Sequence, residues 1–97
     1  VLDNKEADVT PAYTTEGQLI NTDKYLLLKD DKHFWPPYNL APIVRDDVLK
    51  SNPKIESTLN KISKKLDTAT VTKLNAKVDV EGQNYQKVAQ DFYKTIK

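Results

Sequence analysis

Apolar residues recur at helical spacing through the second half of the chain, which predicts three amphipathic helices in succession. The first stripe comprises Ile55, Leu59, Ile62 and Leu66, the second Val71, Leu74 and Val78, and the third Tyr85, Val88, Ala89, Phe92 and Ile96. Either Asp67 or Thr68 can cap the second helix, and Gly82 ends it. Asn84 can cap the third. A shorter helix over 46–50, with acidic residues at its start, precedes all three.

The first half of the chain has a different pattern, in which short apolar segments alternate with turn-forming residues. Residues 8–13 predict a short strand, residues 39–45 can form one more extended segment, and residues 25–28 (Tyr-Leu-Leu-Leu) form a continuous apolar run. Hydroxyl groups at 14–15 can cap a short helix over 16–20. A continuous apolar run is typical of a strand that is buried on both faces, which favours an α/β fold.

The stretch 33–42, His-Phe-Trp-Pro-Pro-Tyr-Asn-Leu-Ala-Pro, contains the only His, the only Trp and three of the five prolines. Adjacent prolines fix φ and lack amide donors, so this segment can continue neither a helix nor a central strand. We therefore predict a stiff, extended crossing that holds its aromatic rings at defined angles. For Phe34 and Trp35, packing into the core beneath this crossing is an equally good interpretation.

Composition and charge limit the possible functions. The formal net charge is +1, with 15 basic and 14 acidic side chains, so no overall field would attract nucleic acid. The chain has no cysteine for thiolate chemistry, and its longest apolar run is far too short to cross a bilayer. Residues 1–8 resemble the last turns of a helix without its own cap, and the chain starts with Val and contains no Met. This pattern favours a fragment whose beginning lies elsewhere.

The usual catalytic and cofactor motifs are missing from the sequence. His33 has no nearby Ser or Cys with which it could form a nucleophile and base pair. Gly17 and Gly82 are too far apart to form a phosphate-binding loop, and the paired aspartates lack a calcium-binding loop around them. We therefore expect no enzymatic activity, no cofactor and no metal.

Two tyrosines are the best candidates for recognition chemistry. Tyr13 follows a predicted strand and Tyr38 lies in the stiff crossing, and small polar residues come after both. A quaternary ammonium ion cannot donate a strong hydrogen bond, so proteins bind it by surrounding it with aromatic ring faces. Two rings would supply half of such a cage. Each tyrosine can also be a half-buried packing residue whose hydroxyl group faces water.

Two motifs resemble the substrate-binding proteins of osmoprotectant ABC importers, the class that takes up glycine betaine, carnitine and choline. One is 12–18, Ala-Tyr-Thr-Thr-Glu-Gly-Gln, and the other is 28–45, which contains Asp-Asp, the Phe-Trp-Pro-Pro-Tyr-Asn stretch and Ala-Pro-Ile-Val-Arg. Residues 59–63 and 74–79 are similar to the closing helices of that family. Trp35 stands where family members often have Phe, which is a departure from the pattern.

The resemblance implies a type II periplasmic-binding-protein fold, in which the ligand lies between two lobes. Residues 1–33 would then be the end of the second lobe, 34–38 a hinge crossing, and 39–97 the C-terminal part of the first lobe. Family members hold the trimethylammonium group in a cage of tyrosines, and Tyr13 and Tyr38 match two of these. The other cage members and the groups that bind a ligand carboxylate would lie upstream of these residues.

The implied function is that of an extracytoplasmic solute-binding component, which closes around a quaternary ammonium ligand and delivers it to the ABC transporter permease in the membrane. Such a protein is periplasmic, a cell-surface lipoprotein or fused to the permease. Two alternatives stay open. One is a stand-alone α/β module that binds a protein partner, and the other is a binding protein for another small solute, such as an amino acid.

Overall fold

The structure is a computed structural model that describes residues 1–97, and its helices lie almost entirely in the second half of the chain. A short 3₁₀ helix spans Gly17–Ile20, and four α-helices follow: α1 (Asp46–Ser51), α2 (Lys54–Ser63), α3 (Thr68–Asp79) and α4 (Tyr85–Ile96). The four helices predicted from the sequence are therefore all confirmed. None of them has the length and apolar character that a bilayer-spanning helix needs.

Side-chain caps begin the last two helices, as the sequence predicts. The Asp67 carboxylate accepts a hydrogen bond of 2.7 Å from the Thr70 amide at the start of α3. The Asn84 side chain accepts bonds from the amides of Gln86 and Lys87 at 2.9 and 3.2 Å at the start of α4. Gly82, with φ of 68°, takes the left-handed conformation after α3 that residues with a Cβ rarely adopt.

Two local predictions about helix ends are wrong. The hydroxyl groups at 14–15 do not cap the 3₁₀ helix, whose N-cap residue Glu16 makes no side-chain capping bond to it. Helix α2 ends at Ser63, so Leu66 lies beyond it. The amides of Lys65 and Leu66 instead bond to carbonyls three residues earlier, which tightens the chain into a turn before the Asp67 cap.

The structure contains no β-strand, so the strands predicted at 8–13 and 25–28 are absent and the α/β class is not confirmed. Residues 39–45 have no regular secondary structure. The physical reason is that a strand needs a second backbone to complete its hydrogen bonds, and these segments do not pair with one another. The expected burial of 25–28 is also not observed, since Leu26 is 85% exposed. The helix end predicted at 1–8 is wrong as well, because these residues form turns, with Lys5 at φ of 57°.

Very little of the chain is buried. Only Gly17, Ala76 and Val88 are buried from solvent, and they lie where α3 contacts the 3₁₀ helix and α4. The accessible surface is 8863 Å², whereas a compact monomer of this mass exposes about 5,700 Å². The radius of gyration is 16.8 Å, against about 12.5 Å for a compact domain of this length. The chain is therefore elongated, and much of its apolar surface faces solvent.

Candidate functional site

The rings of the two tyrosines singled out from the sequence contact each other. The ring centroids of Tyr13 and Tyr38 are 5.3 Å apart, and the ring planes are tilted by 34°. Tyr13 is 62% exposed and Tyr38 is 81% exposed, so neither ring is a core residue. Within these residues, the cover that each ring has comes in part from the other ring. The arrangement is an open pair of aromatic rings at the surface.

The spacing of the rings limits how they can contact a cation. A cation–π contact places the charge within about 6 Å of each ring centroid, so a cation sandwiched between two rings needs centroids roughly twice a contact distance apart. The 5.3 Å separation is too short for that arrangement. A cation in front of both rings meets the distance condition for each of them. The pair can therefore form adjacent walls of a cage that other residues complete.

The backbone of Tyr13 is fixed by Glu16. The Tyr13 amide donates to the Glu16 carboxylate at 3.0 Å, and the Glu16 amide donates to the Tyr13 carbonyl, also at 3.0 Å. These reciprocal bonds close a tight turn just before the 3₁₀ helix. They explain why the hydroxyl groups at 14–15 are not needed as caps, since the Glu16 side chain and amide already order this turn.

Helix α3 also holds this turn, through hydrogen bonds and close packing. The Asn75 side-chain amide donates to the Thr15 carbonyl at 2.7 Å, and the Thr72 hydroxyl donates to the Thr14 carbonyl at 3.0 Å. Gly17 packs so closely on α3 that a Cβ added there would lie 2.6 Å from the Ala76 amide nitrogen. Sequence reasoning did not identify these contacts. The sequence signal for them was the position of Asn75, a polar residue four positions after the apolar Val71 and therefore on the same face of the helix.

A second turn precedes Tyr38. Both oxygens of the Asp30 carboxylate accept backbone bonds, from the Trp35 amide at 2.9 Å and the Phe34 amide at 3.1 Å. These bonds, first from Trp35 and then from Phe34, hold the pKa of Asp30 below its ordinary value. Within this turn His33 has φ of 51°, a conformation uncommon for residues other than glycine. The turn sets the direction in which the chain enters the proline-rich crossing.

The crossing has no regular secondary structure, in agreement with the sequence prediction. Phe34 and Trp35 form an edge-to-face pair with ring centroids 5.0 Å apart and an interplanar angle of 88°. Their exposed fractions are 77% and 67%, so they do not fill a core within these residues. The crossing is therefore a stiff, exposed aromatic segment that ends at Tyr38.

A separate polar cluster joins the N-terminal turns to residue 25. The Tyr25 hydroxyl donates to Asp3 at 2.6 Å, and Lys24 forms an ion pair with the same carboxylate at 2.9 Å. The hydrogen bond from Tyr25, followed by that from Lys24, lowers the pKa of Asp3. Because Asp3 is already paired with Lys24, this cluster is explained by local structure and offers no vacant binding group.

Comparison with known protein families gives one match over almost the whole chain. Residues 1–95 match the family described as the substrate binding domain of ABC-type glycine betaine transport system. Both tyrosines and the whole proline-rich crossing fall inside this match.

Three curated proteins illustrate the range of relatives. A glycine-betaine-binding protein of Pseudomonas aeruginosa is 43% identical over 94% of this chain and 29% of its own length. The carnitine transport binding protein OpuCC of Listeria monocytogenes is 40% identical over the same shares. The ergothioneine transport permease/ergothioneine binding protein EgtU of Helicobacter pylori is 32% identical over 87% of this chain and 15% of its own length. The chain thus spans under a third of the length of the curated relatives it matches.

Proposed function

Because the chain belongs to the family of substrate-binding domains of ABC-type glycine betaine transport systems, we propose that it supplies part of the solute site of such a transport system. The family assigned from the sequence motifs is thereby confirmed. The family implies the periplasmic-binding-protein fold, and its relatives are named as binding and transport proteins, not as enzymes.

In this proposal the residues divide between two lobes. Residues 1–33 complete the second lobe, 34–38 cross the hinge, and 39–97 form the C-terminal part of the first lobe. In this proposal residues 8–13 and 25–28 become strands of the α/β fold only in the full-length protein, where backbone outside these residues provides the missing partners. The large exposed apolar surface supports the idea that such partners exist.

The observation that carries the proposal is the Tyr13 and Tyr38 pair, with ring centroids 5.3 Å apart. Tyr38 ends the hinge crossing and Tyr13 lies at the end of the second lobe, so a ligand in front of both rings contacts the joint between the lobes. We assign these two residues to ligand binding. Their ring faces attract a quaternary ammonium ion without requiring it to donate hydrogen bonds.

The mechanism that follows is capture and closure. A ligand that touches both lobes stabilises the closed form by its differential affinity for that form, and the closed form delivers the ligand to the permease. The protein acts outside the cytoplasm, where the permease takes up its cargo. It is periplasmic, anchored by a lipid or fused to the permease, and the EgtU relative, named as both permease and binding protein, offers a precedent for fusion.

The ligand that we propose is glycine betaine, carnitine or choline. A second candidate is a different solute bound at the same place, because one relative is named for ergothioneine. A protein-interaction module is a weaker candidate, since the chain matches a solute-binding family from residue 1 to residue 95.

The proposal is tested by calorimetric titration of the full-length protein that carries these residues with glycine betaine, carnitine, choline and ergothioneine. The control is the Tyr13→Ala, Tyr38→Ala double variant, shown to be folded by circular dichroism. Binding that the control abolishes supports the assigned site and identifies the ligand. A folded protein that binds none of the four compounds contradicts the proposal.

A further inference from the structure

The turn that follows Tyr13 is bound by α3 through the two side-chain hydrogen bonds that span the greatest sequence separation in the structure. Asn75 bonds to the Thr15 carbonyl across 60 positions, and Thr72 bonds to the Thr14 carbonyl across 58. The next longest side-chain bond, between Tyr25 and Asp3, spans 22. The two side-chain hydrogen bonds of longest range in the structure therefore both end on the two residues that follow Tyr13.

The two donors contribute unequally. The Thr72 hydroxyl has one proton, and it lies 2.8 Å from the carbonyl of Thr68 in its own helix as well as 3.0 Å from that of Thr14. It therefore divides its donation between the two acceptors. The Asn75 amide makes no other hydrogen bond, and its bond to Thr15 is shorter and partly buried. Asn75 is the stronger of the two attachments.

The attached segment behaves as one unit with Tyr13. Glu16 bonds to the amide and the carbonyl of Tyr13, and the next residue, Gly17, packs against the backbone of Ala76. A change in the position of the Thr15 carbonyl therefore moves the Tyr13 backbone and carries the ring with it. Tyr13 is 62% exposed, so apart from the neighbouring Tyr38 ring little else holds its ring in place.

We infer that Asn75, assisted by Thr72, is a positioning residue of the ligand site, which fixes the ring of Tyr13 beside that of Tyr38. This inference rests on the proposed function only where it concerns affinity. The attachment of the turn to α3 is a property of the fold and is measured without a ligand. Asn75 itself does not touch the ligand.

The first test measures affinity in the full-length protein, titrated with glycine betaine, carnitine and choline. Asn75→Ala should lower the affinity about three- to tenfold, the effect expected when one neutral hydrogen bond no longer holds the site. The same substitution should change little in a protein that already carries Tyr13→Ala, because the ring to be positioned is absent. Equal losses in both backgrounds, or no loss in either, would overturn the positioning role.

Matched controls separate this effect from general destabilisation. Asn60→Ala removes an exposed amide from α2, where it makes no hydrogen bond, and should leave affinity unchanged. Thr58→Val is the control for Thr72→Val, since the Thr58 hydroxyl bonds only to Lys54 in its own helix. Thr72→Ser keeps the hydroxyl and should retain the affinity that Thr72→Val loses.

The second test uses amide hydrogen exchange without ligand. Exchange at the Glu16 amide should be at least severalfold faster in Asn75→Ala than in Asn60→Ala, because the turn is released from α3. Equal exchange in the two variants would overturn the inference. If the unmodified protein binds neither these three compounds nor ergothioneine, the proposed function fails while faster exchange still supports the attachment.

Discussion

Gly17 lies so close to Ala76 that an added Cβ would be 2.6 Å from the amide nitrogen and 2.7 Å from the Cα of that residue. Both neighbours are backbone atoms of α3, which cannot move aside as a flexible side chain can. The absence of a side chain at this position is therefore what allows the turn after Tyr13 to approach the helix.

Gly17→Ala should weaken both folding and ligand binding in the full-length protein. The added methyl group forces the turn away from α3, at a cost of about 1–3 kcal/mol in unfolding free energy, and shifts Tyr13 with it. Gly82→Ala is the control, because a Cβ there meets no atom within 4 Å and suffers only from the φ of 68°. It should lower the melting temperature without lowering affinity. Equal affinity of the two variants would contradict this prediction.

Tyr38→Ala should reduce affinity for a quaternary ammonium ligand about tenfold to a hundredfold, the loss expected for one cation–π face together with its apolar contact. Tyr38→Phe keeps the ring face and should lose much less. Titration calorimetry measures both values. Tyr85→Ala removes another exposed tyrosine, which lies on α4 away from the pair, and serves as the control. Unchanged binding by Tyr38→Ala would remove this residue from the site.

Asp30 should make the turn before the proline-rich crossing sensitive to acid. Backbone bonds from Trp35 and Phe34 lower its pKa in the folded state. Its stabilising contribution is therefore complete above the unfolded aspartate pKa of about 3.9. The contribution is lost as the pH falls through the lower, folded-state pKa. Carboxyl titration followed by NMR should show Asp30 titrating below the ordinary aspartate value.

Variants at the same turn provide a second measurement. Asp30→Asn retains one acceptor oxygen but has no charge, so the Trp35 amide should be less protected from exchange. This protection, measured against the intrinsic exchange rate at each pH, should no longer fall as the pH drops below the ordinary aspartate pKa. Asp31→Asn removes the neighbouring carboxylate, which accepts neither of these bonds, and should leave the turn intact. A titration of Asp30 at or above the ordinary value would refute the assigned bonding.

The two helix caps should contribute separately to stability. Asp67→Ala removes the acceptor at the start of α3, and Asn84→Ala removes the acceptor at the start of α4. Each substitution should lower the unfolding free energy by about 1 kcal/mol in urea titrations. Asn84→Gly should lower the unfolding free energy by only a few tenths of a kcal/mol, because glycine is itself tolerated at the N-cap. Since the caps lie on different helices, the double variant should show nearly additive losses.

The sequence predicted the helices well because their signals are local. Asp67 and Asn84 act within three residues of themselves, and each apolar stripe except for Leu66 lies within one helix. The segment 25–28 was predicted less well, since a strand depends on a partner that its own residues do not encode. Tyr13 and Tyr38 were identified through chemistry and family motifs, but their distance depends on the path of the chain between them. The support from Asn75 depends on a contact across 60 positions, which periodicity does not reveal.

Helix α3 holds the turn after Tyr13 only through main-chain carbonyls and a glycine. The acceptors at Thr14 and Thr15 are backbone oxygens, so any residue at either position would present the same group to α3. These two positions can therefore change during evolution or engineering without loosening the turn. New side chains there would lie next to the aromatic pair of the proposed solute site, and substitutions at both positions should change solute preference without loosening the turn. Glu16, whose carboxylate accepts from the Tyr13 amide, and Gly17, which packs on the α3 backbone, are excluded from such variation.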